Sequence, residues 1–423
     1  MTKGTRCTLI CIAICALAAS LMVAAPAQAA AKNSCLDCHS YMGRASLRVV
    51  AEWKDGIHAK KGILCTDCHG GNSTDPTMGA MRKAPDFKGA PKKQDIPALC
   101  AKCHADPKYM RQFNVSSMSQ FAEYKQSVHG KRLLEQGDVK VAACTDCHGT
   151  HGIRAKNDVL SSVYKTNIPK TCAKCHADPR YMAPYGIPTN QYSDYMKSYH
   201  AQKLLKEGDL SAPVCSDCHG THGATPPGVK EVPNVCGTCH ARTQEYFEQG
   251  GHAAAFRKTG TPRCVNCHDN HAIIKPGDDM LVGSSARHCG SCHKEGSPAL
   301  GEATDIHRLI QGLEKDYNQA AAALERAETA NMDVQDQVAE LENARTNLVS
   351  ARALQHTVST GKVQEAITPA LATISSVNKA AAVALDASHR RNTILLMMGL
   401  VVIFTAAVLY WKWRLAYERW IAG

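Results

Sequence analysis

The chain has 423 residues, which is enough for two or three domains, and a formal net charge of +11 at pH 7. It contains 21 cysteines and 20 histidines, whereas aromatic residues make up only 5% and phenylalanine occurs six times. This composition argues against an interior built mainly from large apolar side chains and indicates that another kind of group fills part of the core.

Residues 1–29 have the pattern of a secretory signal peptide. Lys3 and Arg6 form a basic start, an apolar run follows over residues 8–25, and residues 27–29 offer a small-residue cleavage site. We therefore expect a secreted protein. Three cysteines lie in this segment, so eighteen remain in the predicted mature chain.

The eighteen remaining cysteines form nine C-x-x-C pairs, and a histidine follows every pair at once. The sites are Cys35/Cys38/His39, Cys65/Cys68/His69, Cys100/Cys103/His104, Cys144/Cys147/His148, Cys172/Cys175/His176, Cys215/Cys218/His219, Cys236/Cys239/His240, Cys264/Cys267/His268 and Cys289/Cys292/His293. A disulfide framework needs no such histidine, and a zinc ribbon has no reason to fix one beside every pair. C-x-x-C-H is the attachment signal of c-type haem, with two thioether bonds and a proximal histidine ligand. The sequence predicts nine covalently attached haems c in a domain over residues 30–300.

Four repeats follow the solitary first site, and each brings a lone histidine ahead of its first motif. The lone histidines are His58, His129, His200 and His252, and an aromatic residue stands five positions before each. Repeats 1 to 4 have their first motifs at Cys65, Cys144, Cys215 and Cys264, at intervals of 49 to 79 residues. Such periodicity indicates tandem duplication, and we expect each lone histidine on a short helix.

A trailing histidine stands three residues beyond the first-motif histidine in repeats 2 to 4. These residues are His151, His222 and His271, whereas Asn72 takes this position in repeat 1. A trailing histidine cannot easily bind the same iron from the same side, so we expect it to bind the iron of a neighbouring haem. The first haem then finds its partner elsewhere, uses Met42 three residues past His39, or stays open.

The spare histidines equal the predicted haems in number once His356 and His389 in the C-terminal helices are omitted. They are His58, His129, His151, His200, His222, His252, His271, His288 and His307. With the nine motif histidines they predict bis-histidine ligation throughout. Such haems have lower potentials than histidine–methionine haems and offer no vacant position to a substrate, which favours electron transfer over catalysis.

The paired motifs over residues 35–296 resemble those of multihaem c-type cytochromes, in particular the cytochrome c3/NapC/NrfH-like group. The resemblance implies a mainly α domain with little regular sheet, a core of packed haems, and electron transfer in anaerobic respiration. Each haem adds two propionates, so nine haems would bring about eighteen negative charges. The formal charge of +11 is therefore no sign of nucleic-acid binding.

After Pro298 the cysteines disappear and apolar residues adopt the 4-3 spacing of an amphipathic helix with a coiled-coil-like seam. The seam contains Ile306, Ile310, Leu313, Tyr317, Ala320, Leu324, Ala327, Val334, Val338, Leu341 and Leu348. It stops near residues 359–361 and resumes over 363–381, with Pro369 as the expected start of the second helix. The sequence predicts a helical hairpin or stalk over residues 301–392.

Residues 394–411 carry no charge and would rise about 27 Å as a helix, enough to span a bilayer core. Aromatic and basic residues follow, as at a membrane interface. We expect a transmembrane helix over 393–411 and a cytoplasmic tail over 412–423. Because secreted cytochromes of this kind acquire haem in the periplasm, the resemblance implies a haem domain that faces the periplasm and is anchored to the bacterial inner membrane.

The expected function is electron transfer from a quinol-oxidising inner-membrane subunit or complex to periplasmic electron-transfer proteins. Membrane lipid is a further expected partner, and nucleic acid is not. The resembling family usually has an N-terminal anchor, so the C-terminal anchor argues against direct quinol oxidation. Two alternatives stay open: a multihaem reductase of nitrite, hydroxylamine or a sulfur oxyanion with one open haem, and a structural subunit whose stalk scaffolds a complex.

Overall fold

The structure is a computed structural model, and it describes residues 33–115, 117–226, 232–261, 263–283 and 287–421. The predicted signal peptide lies outside the described residues. Within these ranges the chain forms α-helices, 3-10 turns and loops, and no strand is found. The predicted mainly α fold is confirmed.

Short helices make up the motif-bearing region. The α-helices are Ser34–His39, Arg44–Asp55, Ile57–Lys60, Cys65–His69, Gly79–Arg82, Ile96–His104, Pro107–Arg111, Gln120–Gln126, Val128–Leu134, Cys144–His148, Ile168–His176, Pro179–Met182, Gln191–Lys197, Tyr199–Leu205, Cys215–His219, Val232–Gly237, Ala241–Gln249, Gly251–Thr259 and Arg263–His268. The 3-10 turns are Lys93–Asp95, Lys165–Asn167, Ala183–Tyr185, Asp278–Met280 and Cys289–Ser291. Few of these helices could persist alone in water, since isolated helices shorter than about 12 residues are marginal.

Three longer helices follow, which we call the first, second and third bundle helices: Pro298–Thr329, Gln335–Leu354 and Thr360–Ile421. They pack against one another in pairs. The predicted seam forms the shared core, whose larger members are Ile306, Ile310, Leu313, Leu324, Leu341, Leu348, Val363, Ile367 and Ile374. Val338 departs from the pattern, because 37% of its surface is exposed.

A turn over residues 330–334 divides the first predicted helix in two. Asn331 adopts a left-handed conformation there (φ 58°), which asparagine tolerates better than most residues. Arg391 of the third bundle helix donates to the carbonyl of Ala330 (Nη2 to O, 2.6 Å). The region that was predicted to form a hairpin of two helices therefore forms a three-helix bundle.

The predicted helix start at Pro369 was wrong. The third bundle helix begins at Thr360, and Pro369 lies inside it. Pro369 stands on an exposed face, next to the buried Ala370. The helix can tolerate proline there because Glu365, whose carbonyl loses its helical donor, is an exposed residue that water can reach.

The third bundle helix continues past the bundle into an apolar segment. Among the described residues it is the one helix long and apolar enough to cross a membrane, and none of its most apolar eighteen residues is buried. Phe404, for example, is 71% exposed. The predicted transmembrane segment lies within this stretch.

The chain divides into two compact units. One contains the residues up to Thr171 together with His222–Ala224, and the other contains Cys172–Thr221 and Thr225–Gly423. The first unit carries the first four haem motifs. The second carries the other five motifs and the three bundle helices.

Candidate haem sites

The first motif of repeats 1 to 3 forms a five-residue helix from the first cysteine to the histidine. The aspartate between the two cysteines accepts a hydrogen bond from the backbone N–H that precedes the helix. The bond from Leu64 N to Asp67 Oδ2 is 2.6 Å, and its counterparts in repeats 2 and 3 are 2.7 and 2.8 Å. This cap satisfies one of the free N–H groups of the helix start and fixes the spacing of the two thiols and the imidazole.

In repeats 1 to 3, an aromatic side chain on the helix that precedes the lone-histidine helix binds the segment just before the first motif of its own repeat. The Tyr124 hydroxyl donates to the Ala142 carbonyl at 2.8 Å, two residues before the first cysteine. The equivalent bonds from Tyr195 and the Trp53 indole measure 3.0 and 3.2 Å. In these three repeats the aromatic residue binds the motif segment by its polar tip, a role that the sequence did not reveal. Phe247 of repeat 4 has no polar tip and contacts Phe256 instead, with ring centroids 6.3 Å apart.

The backbone beside each trailing histidine docks on the lone-histidine helix of the preceding repeat. The N–H of Ile57, just before His58, donates to the carbonyl of Ile153, two residues after His151, at 2.7 Å. The corresponding bonds in the next two repeats measure 3.2 and 2.8 Å. The approach is close, because a Cβ on Gly56 would lie 3.0 Å from the His151 carbonyl oxygen. Each trailing histidine therefore lies against the repeat that precedes its own.

Among the described residues, seven pairs of imidazole rings lie with their centroids 5.8–6.3 Å apart, at interplanar angles from 9° to 57°. Three join a first-motif histidine to the trailing histidine of the next repeat: His69–His151, His148–His222 and His219–His271. Three join a second-motif histidine to the lone histidine of its own repeat: His104–His58, His240–His200 and His293–His252. The seventh pair is His268–His356.

The spacing fits an iron held between two imidazoles. A bond from a metal to an imidazole nitrogen is about 2 Å, which places the centroids of two rings on opposite sides of one metal about 6 Å apart. Aromatic stacking alone allows similar distances. Stacking alone, however, gives no reason for every pair to combine one motif histidine with one histidine from outside the motifs. The residues present therefore fit haem c, with two thiols and two imidazoles at each such site.

Burial favours the neutral imidazole, which is the form that binds metals. Desolvation lowers the pKa of both rings in the pairs His58–His104 and His148–His222. It lowers the pKa of His268 to about 4, and the nearby rings of His356 and His240 add to this effect.

The cysteines of consecutive motifs lie side by side. Hydrogen bonds between thiols join Cys35 to Cys65, Cys100 to Cys144, Cys172 to Cys215 and Cys236 to Cys264. Other motif thiols are near enough to affect one another's ionisation: burial raises the pKa of Cys68 and of Cys218, and the neighbouring thiols of Cys100 and Cys239, respectively, add to this effect. The eighteen motif cysteines form no disulfide within the described part of the chain, so the disulfide alternative is not seen there. Within each compact unit the motifs follow one another in chain order.

Among the nine second cysteines of the motifs, Cys38, Cys147, Cys175 and Cys292 differ from one another in exposure and in local backbone contacts. The carbonyl of Cys175 accepts from the Asp178 N–H at 3.0 Å, and the carbonyl of Cys147 accepts from the Ser162 hydroxyl. Cys38 and Cys292 are exposed, whereas Cys147 and Cys175 are half-buried. Cys292 also differs in backbone, since it follows the 3-10 turn Cys289–Ser291 instead of lying in an α-helix. These contacts do not test a thioether bond, so haem attachment stays a prediction at these four thiols as at the other fourteen motif cysteines.

The first site departs from the pattern of the histidine pairs. Ser34 donates to the Ser73 carbonyl from its backbone N (2.9 Å) and its hydroxyl (2.8 Å), so the segment after the first motif of repeat 1 docks on the first site. Asn72 occupies the position of a trailing histidine in that segment. In the described part of the chain, no imidazole faces His39 at the spacing of the seven pairs. The side chain of Met42 is 56% exposed.

The other predicted ligands are placed but not tested. His129 lies in the helix Val128–Leu134, at the position of the other lone histidines. His288 precedes the last motif, and its ring nitrogen lies 3.4 Å from the Ser291 hydroxyl. His307 lies in the first bundle helix. Their assignment as iron ligands, like that of the paired histidines, stays a prediction.

Three segments match the family described as the doubled CXXCH motif: residues 137–181, 204–245 and 254–298. These segments contain both motifs of repeats 2, 3 and 4. No curated protein and no solved structure matches the chain. The chain thus carries paired CXXCH motifs, which imply covalent haem c binding. They are consistent with a multihaem c-type cytochrome, while the likeness to the NapC/NrfH-like group stays a prediction.

Proposed function

We propose that the protein is a membrane-anchored nonahaem c-type cytochrome that transfers electrons in anaerobic respiration. The observation that carries the proposal is the set of seven imidazole pairs, each with one motif histidine. An iron held by two such rings has no vacant position, so the change it can undergo without losing a ligand is the gain or loss of an electron.

The pairing supports a ligand scheme with two rules. The second-motif haem of a repeat takes the lone histidine of its own repeat, and the first-motif haem takes the trailing histidine of the next repeat. The neighbouring motif thiols support haems that follow one another in chain order within each compact unit. A row of haems in this order would conduct electrons along the chain.

The bundle supports a separate electron donor in the membrane. From Thr360 to Arg391 the third bundle helix rises about 45 Å, and the apolar segment begins three residues later. A quinol at the membrane surface would lie at the opposite end of the bundle from the His356 turn. We therefore propose that a quinol-oxidising inner-membrane subunit or complex delivers the electrons, and that periplasmic electron-transfer proteins accept them.

The test begins with the full-length protein produced in a host that attaches haem c. We expect nine haems per chain by mass and by pyridine haemochrome assay, with electron paramagnetic resonance spectra that are mainly low-spin. A variant that ends at residue 392 should appear in the soluble periplasmic fraction with its haems. Reduction by a quinol should require membranes that contain the partner. A protein without haem, or with mainly high-spin iron, would refute the proposal.

A second candidate function is reduction of a small substrate at the first haem. It is favoured by Asn72, which replaces the histidine in the segment docked on Ser34. An iron held by His39 alone would be five-coordinate, high-spin and able to bind carbon monoxide or nitrite. Asn72→His should then convert this one haem to low spin and abolish carbon monoxide binding. A wild-type spectrum without any high-spin component would rule out this candidate.

A further inference from the structure

His356 stands outside the haem repeats, yet its ring pairs with a motif histidine. It lies in the 3-10 turn Gln355–Thr357, between the second and third bundle helices. Its ring centroid is 6.2 Å from that of His268, within the range of the six other pairs. Both residues belong to the second compact unit.

The turn docks on repeat 4 in the same way as a trailing segment docks on an earlier repeat. Gly250 precedes the lone-histidine helix Gly251–Thr259, and a Cβ there would lie 2.8 Å from the His356 carbonyl oxygen. Gly56 holds the equivalent position in repeat 1, where a Cβ would lie 3.0 Å from the His151 carbonyl oxygen. The helix Ala241–Gln249 also packs on this turn.

The ring of His356 is oriented as a ligand requires. Its Nδ1 lies 2.9 Å from the carbonyl of Ala353. Because a carbonyl oxygen only accepts, Nδ1 carries the proton and Nε2 keeps its lone pair. The motif histidine His69 has the same arrangement, with Nδ1 2.8 Å from the Gly89 carbonyl. Metal-binding histidines commonly have their second nitrogen fixed in this way.

The turn itself is rigidly built. The Thr357 hydroxyl donates to the Leu354 carbonyl at 2.8 Å, and the Thr357 side chain is buried. Val358 adopts a left-handed conformation (φ 49°), which is costly for a β-branched residue and persists only where the surrounding structure enforces it.

We propose that His356 is the distal axial ligand of the haem attached to Cys264, Cys267 and His268. The inference rests on the proposed function, because it requires haem at this site. The neutral Nε2 donates its lone pair to the iron, and no electron or proton is exchanged in the step. Repeats 1 to 3 each receive this ligand from the repeat that follows, and repeat 4, which has no successor, receives it from the bundle.

Three variants of the haem-loaded protein test the assignment. His356→Gly should turn one haem equivalent high-spin, and added imidazole should restore the low-spin spectrum. His356→Met should keep that haem six-coordinate but raise its reduction potential, because an axial methionine raises the potential of haem. His389→Ala is the control, since this exposed histidine lies in the same bundle, and its spectra should match the wild type.

A variant that lacks the proposed haem shows which haem loses its axial ligand in His356→Gly. Cys264→Ser with Cys267→Ser removes the covalent attachment of the proposed haem, so adding His356→Gly should then produce no new high-spin signal. A His356→Gly protein with full haem content and unchanged low-spin spectra would overturn the inference while leaving the proposed function intact. A wild-type protein without haem would instead overturn the proposed function.

Discussion

Gly250→Ala tests the close contact between the bundle turn and repeat 4 while leaving every histidine in place. Alanine can adopt the backbone conformation of Gly250 (φ −90°, ψ 160°), so the substitution introduces no backbone strain. Its Cβ would lie 2.8 Å from the His356 carbonyl oxygen and 3.2 Å from that of Thr357. Real Cβ atoms essentially never come so near, so the turn must shift away.

The expected cost follows from two opposing effects. Overpacking of a well-packed contact costs about 1–3 kcal/mol. The smaller conformational freedom of the unfolded alanine chain offsets about 0.4–1 kcal/mol of that. We therefore expect Gly250→Ala to lower the free energy of unfolding by about 1 kcal/mol, in a range from near zero to about 2.6 kcal/mol. The displaced turn should also weaken the bond from His356 to iron.

The assay is guanidinium denaturation of the haem-loaded protein, followed by circular dichroism and by the Soret band, with the high-spin fraction measured separately. Gly251→Ala is the matched control, because a Cβ at Gly251 meets no atom within 4 Å. This control should be as stable as the wild type or slightly more stable. Equal denaturation midpoints and equal spectra for the two variants would refute the docking argument.

Three further substitutions probe the remaining contacts by the same denaturation assay. Tyr195→Phe removes the hydroxyl that donates to the Pro213 carbonyl (3.0 Å) and should cost about 1 kcal/mol of stability. Asp278→Asn weakens the ion pair with Arg352 (Oδ2 to Nη2, 2.7 Å), in which the aspartate side chain is only 7% exposed, and should cost about 1–3 kcal/mol. Ile310→Ala empties a fully buried position of the bundle core and should cost about 2–5 kcal/mol.

Exposed counterparts serve as controls for the bundle variants. Asp305→Asn breaks the exposed ion pair with Arg308 and should cost less than about 1 kcal/mol. Val338→Ala truncates a side chain that the sequence placed in the seam but the structure exposes, and should cost far less than Ile310→Ala. Equal costs within either pair would contradict the described packing. Unchanged stability of Tyr195→Phe would contradict the role of the tyrosine as an anchor.

The sequence predicts those parts of the fold that depend on short-range residue patterns. The short lone-histidine helices follow from the repeated pattern of an aromatic residue five positions before each histidine, as in the helix Val128–Leu134. The bundle core follows from a spacing of three and four residues, because that spacing places apolar side chains on one face of a helix. The apolar run over residues 394–411 needs no tertiary information at all.

The turn at residues 330–334 was not predicted, since the seam keeps its spacing on both sides of it. Leu324 and Leu341 lie in one buried core, and a continuous helix and two antiparallel helices can bury the same residues. The choice depends on contacts such as that between Arg391 and the Ala330 carbonyl, some sixty residues away in the chain. Local propensity carries no information about such a contact.

The sequence also did not predict which histidines pair with each other, because the pairing depends on how the repeats pack. The motif spacing indicated that His151 binds a neighbouring haem, but not which one. His356 was set aside because it lies in the helical region. A signal did exist: the first-motif histidine of repeat 4, His268, has no following repeat from which a trailing histidine could come.

The proposed ligand scheme would make the two ends of the haem series differ in chemistry. When each repeat supplies a ligand to the one before it, the last repeat lacks a donor and the first donor position serves the site ahead of repeat 1. At the C-terminal end the bundle turn presents His356 to the pair with His268. At the N-terminal end the donor position holds Asn72, whose amide is a far weaker iron ligand than imidazole. Under this scheme the haem at His268 would have both axial ligands, and His39 marks the haem at which an open iron position is expected.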